Sequence, residues 1–374
     1  MTTAWTREHL ARLDDEPATR TPVLTGDEKV RMLPELYLWD LWPVRLPDGD
    51  MAKVGGGEVW MALSASSSLD PGQRHDAARI RLISRSGDVW ADHGDLFPEG
   101  ASLGSREWAG CATLDPGSGA LDVYYTASGR AGEARPSFVQ RIVRASAWLQ
   151  TGRVGFANWA SHREAVTPGG RYQSTADQES GEPGFIKAFR DPFRFTDPAD
   201  SGEYLLFTAS LADSKTDFDG AIGIAAKGAD GFSLLPPLVH ADGVNNELER
   251  PHLVVHDDAY YLFFSTQART FHPEVTGPTG LYGLVGPSVT GPWEALNGSG
   301  LVLRNPVEEP FQAYSWLVLN DLRVASFIDF HSLSGRRPED VEGAGEGSDH
   351  FGGTLAPIER IGLDGSVARL VPRG

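Results

Sequence analysis

The sequence predicts an all-β protein, on three observations. Short apolar and aromatic runs recur along the chain, turn-forming residues are scattered between them, and helical periodicity is weak. The clearest runs are Val59–Leu63, Leu121–Tyr125, Tyr204–Phe207, Tyr260–Phe264 and Val324–Ile328. Each is rich in β-branched or aromatic residues and bounded by turn-type residues, which is the signature of a strand. Gly (43) and Pro (25) together make about 18% of the 374 residues. Many short strands with few helices predict a sandwich, a barrel or a propeller.

The elements follow in chain order. Around residues 5–14, Trp5, Leu10 and Leu13 share one face of a possible helix. Residues 1–34 read as an N-terminal arm packed on a single domain formed by 35–374, because no linker or exact repeat divides the rest. Gly55-Gly56-Gly57 reads as a hairpin turn. Segments 128–137 and 334–349, rich in glycine and charge, read as long surface loops.

Composition narrows the function. The formal charge is −18 with a pI near 4.9, which argues against a nucleic-acid partner and against anionic lipid. No apolar run reaches membrane-span length, and the N-terminus lacks the basic start and apolar stretch of a secretory signal. The expectation is a soluble protein that is cytoplasmic or released by a non-classical route. The single cysteine, Cys111, excludes an intrachain disulfide and a Cys-based zinc site, and reads as a small buried hydrophobe. His252 and His256 flank a strand-like Leu253-Val254-Val255 and not a metalloprotease helix, so they read as surface or locally hydrogen-bonded residues. Neither a phosphate loop nor a Gly-x-Ser-x-Gly elbow is present.

Carboxylates in unusual company carry the chemical signal. Asp40 lies between two indoles in Leu38-Trp39-Asp40-Leu41-Trp42-Pro43. Asp191 lies in Phe189-Arg190-Asp191-Pro192-Phe193, and Glu247 and Glu249 lie in Asn246-Glu247-Leu248-Glu249-Arg250-Pro251. Acids flanked by large apolar groups and arginine have perturbed proton affinities. Aromatic rings beside them stack on the apolar faces of sugars. Together they point to glycoside chemistry, which pairs a carboxylate nucleophile with a carboxyl acid/base.

These segments resemble the levansucrase/inulosucrase family, glycoside hydrolase family 68. Further matching stretches are Ser105-Arg106-Glu107-Trp108-Ala109-Gly110, Glu249-Arg250-Pro251-His252, Gly291-Pro292-Trp293-Glu294 through Leu301, Gln312-Ala313-Tyr314-Ser315, Ser326-Phe327-Ile328-Asp329 and Gly352-Gly353-Thr354-Leu355-Ala356-Pro357. They run in the family's order over roughly residues 35–360. The resemblance implies a five-bladed β-propeller with a funnel-shaped active site on its axis. It implies cleavage of sucrose, or a related β-fructofuranoside, through a fructosyl-enzyme that passes fructose to water or a sugar acceptor. Asp40 would be the nucleophile, Glu249 the acid/base, with its pKa raised for that role, and Asp191 the stabiliser of the transition state. Trp39 and Trp108 would wall the fructosyl pocket, while Arg190, Glu247, Arg250 and Tyr314 would bond the sugars.

The chain departs from the family pattern at four places. Ala109 stands where the family has a serine. Gln267 stands where a His or Arg meets the glucosyl side, with Arg269 close by. Trp316 stands in place of a histidine, offering a flat surface to an acceptor. Asn246 replaces an Asp that serves a calcium site in some members, so no metal and no cofactor are expected. The first three changes leave the fructose-side machinery intact and alter the leaving-group and acceptor side, which predicts modest activity on sucrose and short transfer products. The alternatives are a related propeller glycosidase acting on another furanoside such as arabinan, and a carbohydrate-binding propeller without turnover.

Overall fold

A computed structural model describes residues 2–14, 17–175, 180–182, 184–342 and 345–373. The strands form five successive antiparallel groups. The first contains Leu36–Arg45, Gly57–Ser66, Arg79–Ser86 and Val89–Asp95, and the second contains Arg106–Leu114, Ala120–Ser128 and Gln140–Leu149. These two groups join through a short parallel pairing, Val44 with Ala112 and Arg45 with Thr113. The third contains Phe189–Thr196, Glu203–Ser210, Gly220–Gly228 and Gly231–His240. The fourth starts with Glu249–His256, Ala259–Thr266 and Gly280–Gly286, and the fifth with Ala313–Val318 and Arg323–Phe330.

The first strand of each group contacts the first strand of the next, and Ala313–Val318 contacts Leu36–Arg45. The five groups therefore close into a ring around an axis lined by their first strands, and the chain is an all-β propeller. Closure of this kind leaves only short edges. The five apolar runs picked out in the sequence are the second strand of each group. Those strands are buried on both faces, which explains why they read as continuous hydrophobic runs.

The N-terminal residues lie against the later groups. Thr3–Ala4 adds a parallel strand beside Val239 and His240. Trp5 is buried edge-on among Phe264, Phe271 and Tyr282, and Arg31 donates to the carbonyls of Phe351 and Gly352. The helix expected over residues 5–14 is a single turn, Arg7–Leu10. The triple glycine turns the hairpin between Lys53–Val54 and Gly57–Ser66, as expected. The segment 334–349, expected as loop, contains the one-turn helices Pro338–Val341 and Gly347–His350. Cys111 is buried, and its sulfur accepts from the Arg194 N–H at 3.1 Å. No helix among the described residues is long and apolar enough to cross a membrane.

Candidate active site

Each of the five axial strands breaks its register at the same place. The irregularities fall between Trp39 and Trp42, Trp108 and Gly110, Arg190 and Phe193, Glu249 and His252, and Tyr314 and Leu317. In four of them the residue entering the bulge is left-handed: Asp40 (φ 48°), Asp191 (φ 56°), Arg250 (φ 50°) and Ser315 (φ 62°). Such a conformation costs about 1–2 kcal/mol for a residue with a Cβ, and bulges re-aim side chains beside active sites. In these four strands two adjacent residues then face the axis instead of one. In the second group the residue after the bulge is Gly110, where a Cβ would lie 2.0 Å from the Tyr124 carbonyl oxygen.

The result is a funnel of about 430 Å³. Trp39, Trp108, Arg190, Glu249 and Tyr314 line it, as do their neighbours Asp40, Asp191, Arg250 and Ser315; Glu247, Gln267 and Arg269 complete one side. A second cavity of about 360 Å³ opens among Trp42, Arg45, Cys111, Phe193 and Leu317, and none of the three carboxylates borders it.

The carboxylates are wired together through arginine. Arg190 Nη2 donates to Glu247 Oε1 at 2.6 Å and to Glu249 Oε1 at 3.0 Å, while its Nε lies 3.7 Å from Asp191 Oδ2. Burial opposes its charge, but Glu247, Glu249 and Asp191 outweigh burial and raise its pKa. Tyr314 donates its hydroxyl to Glu249 Oε2. Asp191 Oδ2 accepts from the Thr208 hydroxyl at 3.0 Å and from the Arg250 N–H at 3.3 Å. Burial, reinforced by Glu249 and Asp40, pushes Asp191 up to about 7 against the pull of Arg190. Arg250 Nη1 donates to the Ser315 hydroxyl at 2.6 Å and Nη2 to the Leu41 carbonyl at 2.7 Å. Burial raises the Asp40 pKa, while Arg250 and a hydrogen bond with Ser315 hold it down. Asp40 and Asp191, on two different strands, therefore both contact machinery centred on Arg250.

Of the residues expected from sequence, Asp40, Asp191, Glu249, Trp39, Trp108, Arg190, Glu247, Arg250, Gln267 and Tyr314 all meet in the funnel. Ala109 does not line it. It is buried behind the wall, where its carbonyl accepts from the Thr126 hydroxyl, which in turn accepts from the Asp191 N–H. The reading of Trp316 as an acceptor platform is corrected. The bulge turns Trp316 away from the axis, and at 1% exposure it is a core residue. Arg269 Nε donates to Gln267 Oε1 at 2.7 Å, so cation and amide act at this wall as a pair.

Sequence reasoning missed several lining residues. Ser315 lines the funnel, and nothing in its local sequence marks its hydroxyl for that place. His75 stands between Trp39 and Trp108, with ring centroids 5.6 and 6.4 Å away. Burial, then Arg74, drives its pKa well below the ordinary histidine value. Arg74 and Glu342 join the rim. The short Pro71–Asp76 helix carries Arg74 and His75, and no apolar period marks it. His252, read as a surface or locally hydrogen-bonded residue, is the latter, and it is fully buried. Its Nδ1 is bonded to the Arg250 carbonyl and its Nε2 accepts from the Val318 N–H. Among the described residues no group of three or more His, Cys, Asp or Glu is arranged to hold a metal ion.

The family model described as Levansucrase/Invertase matches residues 1–220 and 213–371. A levansucrase of Rahnella aquatilis is 33% identical over 97% of this chain and 93% of its own length. A levansucrase of Erwinia amylovora is 32% identical over 99% and 94%. The inulosucrase of Halalkalicoccus jeotgali, solved with kestose bound, superposes with a TM-score of 0.90 at 39% identity, covering 99% of this chain and 95% of that one. The chain belongs to the levansucrase/invertase family of glycoside hydrolases.

Proposed function

We propose that this enzyme cleaves the fructosyl bond of sucrose by retention, with Asp40 as nucleophile and Glu249 as acid/base. The observation that carries the reading is the convergence of Asp40, Asp191 and Glu249 on one funnel floor, joined by Arg190 and Arg250. A pure sugar-binding site has no need of such a set.

In the first step the Asp40 carboxylate attacks the anomeric carbon of the fructosyl unit. The bond to the glucosyl oxygen breaks, and that oxygen takes the proton from Glu249. In the second step water or a sugar hydroxyl gives its proton to Glu249 while its oxygen displaces Asp40. Tyr314 and Arg190 hold the two oxygens of Glu249. Asp191, anchored by Thr208 and the Arg250 N–H, faces the cationic transition state. Trp39 and Trp108 offer apolar walls for the ring. The levansucrase relatives and the kestose-bound inulosucrase support sucrose as donor and a fructosyl sugar as acceptor. At the outer wall the Gln267–Arg269 pair meets the leaving group. With Trp316 withdrawn into the core, acceptor handling falls to that pair, and the short transfer products expected from sequence rest on it.

The test is incubation with sucrose, counting free glucose and free fructose separately, followed by rapid acid quench and peptide mass analysis. Glucose in excess of fructose, with a fructosyl adduct on the peptide containing Asp40, is the expected result. Absence of glucose, or an adduct confined to another peptide, overturns the reading.

A further inference from the structure

The strand that delivers Arg190 and Asp191 and the loop that delivers Glu247 are held together outside the funnel by a small polar clamp. Lys187 Nζ donates to three oxygens: the Asp219 carboxylate at 2.9 Å, the Asp217 carbonyl at 3.0 Å and the Gly184 carbonyl at 3.3 Å. Asn246 bridges the same two backbone units. Its amide, turned to satisfy both ends, donates to the Asp217 carbonyl at 2.8 Å and accepts from the Gly184 N–H at 3.2 Å. Gly184 and Asp217 are thus tied twice, once by a cation and once by an amide. The Asp219 side chain is 3% exposed and that of Lys187 is 13% exposed, so the ion pair is shielded from water and salt.

Two short routes lead from the clamp to the catalytic acids. The Lys187 carbonyl accepts from Gln140 Nε2 at 3.0 Å, and Gln140 Oε1 accepts from the Phe189 N–H at 3.1 Å and from Arg190 Nη1 at 3.4 Å. On the other side the Gly220 N–H donates to the Asn245 carbonyl, and Asn245 Oδ1 accepts from the Glu247 N–H at 2.8 Å. Asn246 lies between Asn245 and Glu247.

We propose that Lys187 is a positioning residue for the Arg190–Glu247–Glu249 cluster, its ammonium serving as a built-in cation that locks Gly184, Asp217 and Asp219 beneath the acid/base. This rests on the assignment of Glu249 as acid/base. A displaced Arg190 leaves both glutamates without their shared donor, and misplacement of about 1 Å at such a site costs roughly a hundredfold in rate.

The experiment uses three variants of the full chain beside the parent. Lys187→Met keeps the aliphatic stem and strands the buried Asp219 carboxylate, which by itself destabilises. Lys187→Met/Asp219→Asn removes both charges and restores electrical balance. The double variant is expected to fold with a melting temperature near the parent's, to lose at least about tenfold in kcat on sucrose, and to keep KM within about threefold. In Lys187→Ala, n-propylammonium is expected to restore kcat in a saturable manner, while tetramethylammonium at equal ionic strength does not. Hydrogen exchange is expected to quicken in peptides covering 184–191 and 245–250. A double variant with kcat within about twofold of the parent and unchanged exchange overturns the proposal. So does a loss of activity that follows melting temperature alone, without rescue by the amine. If the parent itself releases no glucose, the catalytic assignment fails, and the exchange measurement still decides whether the clamp holds these segments.

Discussion

The Arg190 guanidinium reaches Glu249 at 3.0 Å through the same nitrogen that bonds Glu247 at 2.6 Å. The two N–H bonds of that nitrogen reach one acid each, so a shift of the guanidinium at one is felt by the other. This coupling makes the site a unit, and its parts are best tested as such.

Removal of a single carboxylate should be close to removal of all three. Asp40→Ala, Asp191→Ala and Glu249→Ala are each expected to lower turnover on sucrose by several orders of magnitude, with a cooperative melting transition retained. Activity within about tenfold of the parent, roughly 1.4 kcal/mol of barrier, in any one of them would exclude that residue from its assigned role.

Ser315 should tune the nucleophile. Its hydroxyl is bonded to Asp40 and accepts from Arg250. In Ser315→Ala the Asp40 carboxylate loses a donor, so its pKa rises further above the ordinary aspartate value. The acid limb of the kcat/KM profile is expected to move to higher pH. A profile superimposable on the parent's would show that Ser315 does not act on Asp40.

The outer wall should answer to Arg269 more than to Gln267. Arg269 already supplies a cation there and engages the Gln267 oxygen. Arg269→Gln is expected to raise KM for sucrose roughly tenfold, the lower end for a charge-assisted hydrogen bond at a half-exposed site. Gln267→His should change KM by less than about threefold, because the cationic contact remains. Steady-state kinetics on both variants decide the order, and a large effect of Gln267→His alone would reverse it.

Glu107 should make stability fall with rising pH. Burial pushes its pKa up to about 7, only partly opposed by the Ile80 N–H it accepts at 2.8 Å. The folded state therefore keeps a proton that the unfolded chain releases near pH 4.5. The sign follows: the stabilisation is complete below that value and is lost as pH rises through 7, by roughly 3 kcal/mol in all. Glu107→Gln keeps the acceptor and cannot ionise, so its melting temperature should gain on the parent's between pH 5 and pH 8. A constant difference across that range would refute the buried-acid account.

Much of this was legible from residues alone. Burial on both faces makes the second strand of each group a continuous apolar run, so five strands stood out at once. Their starts at 59, 121, 204, 260 and 324 are unevenly spaced, and that is why the ring of five did not register as a repeat. The acids could be picked out because indoles and arginines flank them. What alternation cannot convey is the bulge. By strict two-residue period Tyr314 and Trp316 share a face, yet the irregularity at Ser315 sends the first into the funnel and the second into the core. His75, Thr208 and Lys187 reach their partners only through tertiary contacts, and neither periodicity nor local composition announces them.

The bulges also set what kind of change this scaffold tolerates. Side chains at Asp40, Asp191, Arg250 and Ser315 are defined by their count from the strand start, and neighbouring positions point to opposite destinations. Exchanging one letter at such a place alters chemistry and leaves the frame intact. Losing or gaining one letter in an axial strand would instead deliver Trp39 or Leu41 where Asp40 belongs. The outer connections carry no such count, and insertions there are expected to leave the funnel in place. The inner strands admit new reactions only by substitution, which makes the four bulged pairs a compact address for redesigning specificity.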